Sequence, residues 1–296
     1  MENINNDMKI NYIEYNALQT IPDDKITNEN INYNIARLSE VPKWEINFES
    51  ILFMRSLNKQ NPLLLKQYLN QHTITLLEKL CMSIRSGLAK ETIIFLGEIL
   101  MNYTITSPTN DYIVLNKLSE ILLHCTFNSK GFIRDESKSQ MKKSLDMNAT
   151  FVNNFDYCIE LIDLMKNAKS VISDNAFEMY EMLFMKVVID NNISNETWLK
   201  LIDKLDELYS KKREIYTKKA TKIISEIINK TGKNMFMEIL ISLNKKEKLE
   251  TYETWIKLSE KKSSSVMSLK DFKKQQLSKK RQPQQQIVDD QQQQNP

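Results

Sequence analysis

The sequence predicts an all-α protein, an α-solenoid of about six stacked helix pairs. Three observations carry this. Glycine is scarce, 4 residues in 296, which argues against β-rich and dinucleotide-binding folds that need it in turns and phosphate loops. Leu, Ile, Lys and Glu are abundant, as in helical proteins, and the many Asn read as compositional bias. A small residue flanked at four residues on either side by apolar ones recurs about every 40 residues.

The chain divides by composition. Residues 1–29 are polar and Asn-rich, and are expected to be disordered or loosely packed. Residues 30–260 carry successive amphipathic patterns. Residues 261–296 are basic and Ser/Gln-rich, then a Gln tract, and lack the apolar residues for a core. The net charge of +3 excludes a general polyanion binder. Cys81, Cys125 and Cys158 sit among apolar residues at helical spacing, which predicts buried free thiols and a reducing compartment. No apolar run approaches the roughly 18 residues of a membrane span, and the polar start does not read as a signal peptide.

Within 30–260 the helices are expected in pairs. The first pair is 30–40 and 44–58, broken at Val41-Pro42-Lys43. The second is 62–83 and 88–103, broken at Ile84-Arg85-Ser86-Gly87. The third is 110–127 and 132–147, broken at Asn128-Ser129-Lys130-Gly131. The fourth is 151–167 and 173–190, broken at Ala168-Lys169-Ser170. The fifth is 195–209 and 213–231, broken at Ser210-Lys211-Lys212, and a weaker sixth covers 233–243 and 246–260. Pro62 and Pro108 fall at helix starts or linkers, where proline is tolerated.

The second helices align on Ser50, Thr92, Ser137, Ala176 and Ala220, spaced by 42, 45, 39 and 44. Ile46, Leu88, Ile133, Ile172 and Tyr216 precede them by four, and Met54, Leu96, Met141, Tyr180 and Ile224 follow by four. A small residue between apolar ones on one helix face predicts close packing on a neighbouring helix. A two-helix period near 40 is the HEAT or armadillo signature, in which pairs stack because none can bury its face alone.

The turns inside the pairs then line one edge. They hold Lys43 and Trp44, then Arg85 and Ser86, then Lys130, then Lys169, then Lys211, Lys212 and Arg213. With 41 Lys and Arg in the chain, a cation in any one turn is unsurprising. A tryptophan at one end of the series adds weight, since an aromatic anchor beside a cationic ridge suits an acidic protein partner.

Three stretches carry a family resemblance. VPKWEINFESILFMRSL resembles the opening repeat of TOG domains of the CLASP and crescerin type, with its Trp-Glu and later Arg. SIRSGLAKETIIFLGEIL resembles the second repeat, ending in Leu-Gly-Glu, and KGFIRDESKSQMKKSL the third. The resemblance covers residues 30–260. It implies binding of the αβ-tubulin heterodimer or the microtubule lattice through the intra-repeat turns. By position it assigns Trp44 with Lys43, Arg85 and Ser86, Lys130, Lys169, and Lys211 or Lys212 to that role. It also implies the cytoplasm and cytoskeleton, with the cilium or axoneme as one setting. Asn47 and Ser173 depart from the family pattern, each standing where a cation is usual.

A single such domain points to lattice binding or scaffolding rather than to a polymerase array. The tail offers Lys261, Lys262, Lys270, Lys273, Lys274, Lys279, Lys280 and Arg281 against one acid, Asp271, and suits acidic tubulin tails.

No catalytic constellation is visible. His72 and His124 belong to no metal-ligand pattern, and His124 beside Cys125 reads as a core or interfacial histidine. Asp135-Glu136 and Asp203/Glu207 read as helix-dipole partners or i,i+4 pairs. No phosphate loop or GxSxG is present, so neither an enzyme nor a cofactor is expected. A generic HEAT or armadillo adaptor for another acidic partner is the alternative. Nucleic acid is disfavoured by the balanced charge.

Overall fold

The computed structural model describes residues 13–39, 43–147, 155–167, 169–186, 193–211, 213–255 and 257. The described residues are helical, without strands. They form two compact units, one up to Asp190 and one from Asn191.

In the first unit the helices are α1 (Asn28–Arg37), α2 (Trp44–Gln60), α3 (Pro62–Lys66), α4 (Gln71–Cys81), α5 (Ser86–Asn102), α6 (Pro108–Cys125), α7 (Gly131–Met147), α8 (Phe155–Met165) and α9 (Ser170–Lys186). The single helix expected over 62–83 is two. Pro62 opens α3 at its first position, α3 stops at Lys66, and Asn70 starts α4 afresh by accepting the Thr73 N–H at 3.0 Å. An Asx cap offers the backbone an alternative to continuing the helix, and a propensity sum does not register that.

The aligned small residues sit where the pattern places them. Ser50, Thr92, Ser137 and Ala176 are fully buried, with Met54, Leu96, Met141 and Tyr180 one turn on. Thr92 and Ser137 satisfy their hydroxyls on the carbonyls of Leu88 and Ile133, four residues back. The second helices of the pairs, α2, α5, α7 and α9, lie side by side and parallel. Asn58 near the end of α2 lines one small void with Ile99 and Asn102 near the end of α5. Lys90 and Gly97 on α5 meet Glu136 and Ser144 on α7. Lys138 and Asp146 on α7 meet Glu178 and Lys186 on α9. Long-range bonds therefore join residues about one repeat apart in sequence.

Helix α5 is central, buried at every residue from Leu88 through Leu100 except the half-covered Lys90. Gly97 permits its closest approach: a Cβ there would lie 2.8 Å from the Cβ of Gln140 on α7. Between α2 and α5 a buried charge cluster replaces apolar packing. Arg55 Nε donates to Glu98 at 2.8 Å, and its two terminal nitrogens bond Glu98 and Glu91.

The segment expected to be loose is pinned over its described part. Arg55 donates to the Ile13 carbonyl at 3.1 Å. Gln60 exchanges two hydrogen bonds with the Ile21 backbone, and Tyr15 accepts from Asn102. Leu18 and Ile21 are buried. Two apolar residues and a few well-placed backbone groups suffice to hold a short strap to a preformed helix face, which average composition conceals. The expectations for residues 1–12 and 261–296 lie outside the described residues.

The second unit contains α10 (Asn195–Ser210), α11 (Glu214–Thr231), α12 (Lys233–Ser242) and a final helical stretch over 248–255. Ala220 is fully buried with Ile224 beyond it. Tyr209 stacks on Trp255, and Lys245 and Lys248 bond Asp203 and Asp206 across helices. No described helix is long and apolar enough to cross a membrane.

Candidate functional site

The turns preceding α5, α7 and α9 are built by one local device. The Arg85 N–H bonds the Ser83 hydroxyl at 3.2 Å. The Lys130 N–H bonds Asn128 Oδ1 at 2.9 Å, and the Lys169 N–H bonds Asn167 Oδ1 at 3.0 Å. These are Asx and Ser turns, in which a short polar side chain accepts from the backbone two residues on. Sequence reasoning misses Ser83, Asn128 and Asn167 as positioning residues. The signal that finds them is a Ser or Asn two places before a cation.

Each turn delivers a cation to the residue just before a second helix. Lys43 and Arg85 occupy the N-cap positions of α2 and α5, and neither helix has a side-chain cap there. Lys130 and Lys169 directly precede α7 and α9. In the second unit Arg213 is the N-cap of α11. Of the other helices, α6 and α12 also start without a side-chain cap, at Ser107 and Gly232, but four start with one. Thr27, Asn61, Asn70 and Ser194 each accept an N–H of the first turn of α1, α3, α4 and α10. A cation opposes the helix dipole at an N-terminus and offers the first N–H groups no acceptor. Lys and Arg are 41 of 296 residues, so a cation before all five second helices is far from chance.

Apolar residues stand beside these cations in the first unit. Ile84 is 85% exposed, next to Arg85. Met82, Phe132 and Val171 are also exposed. Trp44 is only half-buried, edge-on to Phe48 with ring centroids 6.4 Å apart. The freest apolar group of the edge is thus Ile84 rather than Trp44, because Phe48 lies one helical turn along and takes part of the indole. The second and third turns touch directly. Lys130 Nζ reaches the Ser83 carbonyl at 3.3 Å, and Asn128 donates to Met82 Sδ at 3.2 Å.

The assigned residues fare unequally. Lys43, Arg85, Ser86 and Lys169 are exposed. Lys130 is half-buried, its ammonium partly held by Ser83. Lys211 is exposed at the end of α10, and Lys212 lies outside the described residues. His124 is exposed on α6 rather than in the core, while Cys125 beside it is fully buried. Adjacent helical positions differ by about 100° in direction, so the two cannot share one face.

The positions that depart from the family pattern have structural partners. Asn47 is buried and donates to the Arg37 carbonyl at 2.7 Å, closing the end of α1. Ser173 is buried and donates to the Met165 carbonyl at 2.6 Å, closing the end of α8. Both stand three residues before the aligned small residue, and so does Arg134, which donates to the Asn128 carbonyl. Satisfying a helix's last carbonyls is the common task. Arg55, Gly97 and Glu98, the residues of the MRSL and FLGEIL stretches, are likewise internal and hold α2, α5 and α7 together.

An all-α protein of paired helices, with cations set before its second helices, is the class these residues define. The chain matches no known family model and no curated protein.

Proposed function

We propose that the turn edge of the first unit binds tubulin, with the microtubule lattice as the favoured form, and that the protein scaffolds or regulates cytoskeletal microtubules. One observation carries the reading: a cation precedes the second helix of each of the four pairs of the first unit, α2, α5, α7 and α9, where it opposes the dipole of the helix it starts. A feature that costs local stability and recurs from pair to pair is explained by a partner. Tubulin is an acidic partner, and the exposed Ile84, Phe132 and Val171 supply apolar contacts between the charges. The resemblance of residues 30–260 to TOG domains supports the same partner. Arg85, Lys43 and Lys169 steer and orient, while Ile84 and the half-buried Trp44 contribute the contact energy. The basic segment 261–281 adds salt-sensitive attraction to the acidic tubulin tails.

Microtubule co-sedimentation tests this, with gel filtration against free tubulin in parallel. Wild type is compared with Ile84→Asp, with Arg85→Glu plus Lys43→Glu, and with a chain ending at Glu260. Loss of pelleting in the edge variants, with unchanged thermal stability, is the expected result. Loss only on truncation assigns binding to the tail. If wild type pellets with neither form, the edge serves another acidic partner, as in a HEAT or armadillo adaptor.

A further inference from the structure

Residues 13–21 form a strap laid over the carboxyl-terminal parts of α2 and α5, and helix side chains hold it mainly by its backbone. Arg55 donates to the Ile13 carbonyl at 3.1 Å, and Lys59, one turn on, donates to the Asn16 carbonyl at 3.2 Å. Gln60 takes both backbone groups of Ile21, accepting from its N–H at 2.8 Å and donating to its carbonyl at 3.0 Å. The strap's own side chains contribute at Tyr15, Leu18 and Ile21. Leu18 and Ile21 are buried. The Tyr15 ring centroid lies 5.6 Å from the Lys59 ammonium, and the Tyr15 hydroxyl accepts from Asn102 of α5 at 3.0 Å. Glu14, Asn16, Ala17, Gln19 and Thr20 are exposed.

Contacts of this kind make a peptide groove. Side chains that bond backbone groups accept an extended segment of any sequence, and specificity is left to the few pockets that take its side chains. The strap has the matching conformation. Glu14, Leu18 and Pro22 have polyproline-like ψ of 145°, 130° and 141°, on either side of one 3-10 turn at Tyr15–Ala17. The floor is polar, with Arg55 above Glu91 and Glu98 at one end and Gln60 at the other. Water satisfies such a floor when the strap lifts, whereas an apolar floor would stay exposed. We propose that the groove between the ends of α2 and α5 is a docking site for an extended segment of another protein, one that carries an aromatic residue with aliphatic residues three and six places after it. Residues 13–21 occupy the groove in cis until that segment displaces them.

A partner fits this site better than a second copy of the chain. A second copy offers the same strap with the same contacts. The resident strap is tethered through residues 22–27 to α1, which gives it an effective concentration of about millimolar or more. An identical segment in trans does not displace it at ordinary protein concentrations. A segment whose aromatic and aliphatic side chains fill the three pockets better does, and it keeps every bond to the backbone. The groove lies at the ends of α2 and α5 opposite the turns that carry Lys43 and Arg85, so docking there does not rest on the tubulin reading.

The probe is a fluorescein-labelled peptide of residues 13–26, titrated into the full chain and read by anisotropy. In the chain carrying Leu18→Asp and Ile21→Asp the strap is expected to leave the groove. The peptide should bind that opened chain about tenfold more tightly than wild type, whose own strap competes. Adding Gln60→Ala should weaken the binding again, and a peptide carrying Tyr15→Ser, Leu18→Ser and Ile21→Ser should not bind. Hydrogen exchange of wild type needs no variant, and it decides alone if the opened chain lacks wild-type helix content. The Ile21 N–H, bonded to Gln60, is expected to exchange roughly a hundredfold faster than the Leu96 N–H inside α5, because the strap lifts without global unfolding. Exchange of Ile21 as slow as that of Leu96 would make the strap a fixed part of the core and overturn the proposal. So would a folded opened chain that binds no peptide, equal affinity for wild type and opened chain, or equal binding of the Ser-substituted peptide. A concentration-dependent wild-type dimer that the peptide dissolves would give the groove to a second copy and overturn the assignment to a partner. Microtubule pelleting should be the same for wild type and opened chain, so failure of the tubulin reading shows separately.

Discussion

Arg55 on α2 and Glu98 on α5 lie 43 residues apart in sequence and meet as a buried fork, Nε donating to the carboxylate at 2.8 Å. Arg55 has no solvent exposure, and its remaining donors go to Glu91 and the Ile13 carbonyl. One guanidinium thus joins two parallel helices and the amino-terminal strap. Burial alone would lower the Arg55 pKa; the bonds and charges of Glu98 and Glu91 outweigh it and raise it. Arg55→Met is expected to destabilise the protein by about 3–5 kcal/mol, because two carboxylates remain buried without a counter-charge. Adding Glu91→Gln and Glu98→Gln should recover a large part of that loss. Urea unfolding of the single and triple variants measures both, and equal stability of the two would refute the account.

The cluster holds two carboxylates against one guanidinium, which gives stability a pH dependence. Burial pushes the Glu91 carboxyl up, and the Arg55 charge only partly offsets it. A raised folded-state pKa means that Glu91 contributes stability at pH below its ordinary range, about 4.5, and loses it as pH rises through the raised value. Wild type should therefore gain on Glu91→Gln as the pH is lowered from neutral. Unfolding midpoints across that range check the sign; a widening deficit of wild type on acidification would reverse it.

Asp111 behaves oppositely. It is buried at the start of α6 and accepts from Lys66 at 2.6 Å and from the backbones of Thr106 and Ser107. Burial opposes ionisation there, but these donors prevail and hold the carboxyl well below its usual range. Its stabilisation is present above the ordinary Asp range and is lost as pH falls below it. Asp111→Asn should cost about 1–3 kcal/mol at neutral pH. That cost should persist in mild acid and shrink only once the pH falls below the ordinary Asp value of 3.8, as parallel melts at pH 7, in mild acid and at about pH 2–3 would report.

Gly97 faces Gln140 at a distance that leaves no room for a side chain. Gly→Ala inside a helix ordinarily gains about 1 kcal/mol. Here the obstacle includes the Gln140 Cβ, 2.8 Å away, which cannot rotate aside. Gly97→Ala should instead destabilise by about 1–3 kcal/mol, through separation of α5 and α7. Gln140→Gly in the same chain should relieve the clash. Differential scanning calorimetry of the two variants decides, and a stabilised Gly97→Ala would refute the close approach.

Replacing the cations that precede the second helices should trade binding for stability. Arg85→Asp and Lys169→Asp each supply an acceptor and a favourable charge at a helix start, worth roughly 0.5–1 kcal/mol. The doubly substituted protein should melt at a higher temperature than wild type while pelleting less with microtubules. A rise in melting temperature with undiminished pelleting would mean that the cations serve no partner.

Much of this is legible in the sequence, and particular residues show how. Small residues at Ser50, Thr92, Ser137, Ala176 and Ala220 place the buried face of each second helix, since a helix repeats its direction every few residues and only a small side chain lets a neighbour come close. The turns follow from their Ser, Asn, Gly and Lys content. The break at Asn70 is not legible, because capping competes with helix continuation by a hydrogen bond rather than by propensity. Nor is the half-burial of Trp44, which depends on where the Phe48 ring lies.

The sequence by itself determined that the chain is helical and paired, and which face of each second helix is inward, because periodicity and side-chain size are local properties. Only the tertiary structure decided what Arg55, Glu91, Glu98 and Asn47 do, and that Ile84 rather than Trp44 is the outermost apolar group. A polar residue at helical spacing reads the same whether it faces solvent or a partner 43 residues away. Burial and hydrogen-bond geometry, which arise only when distant segments meet, separate the two cases.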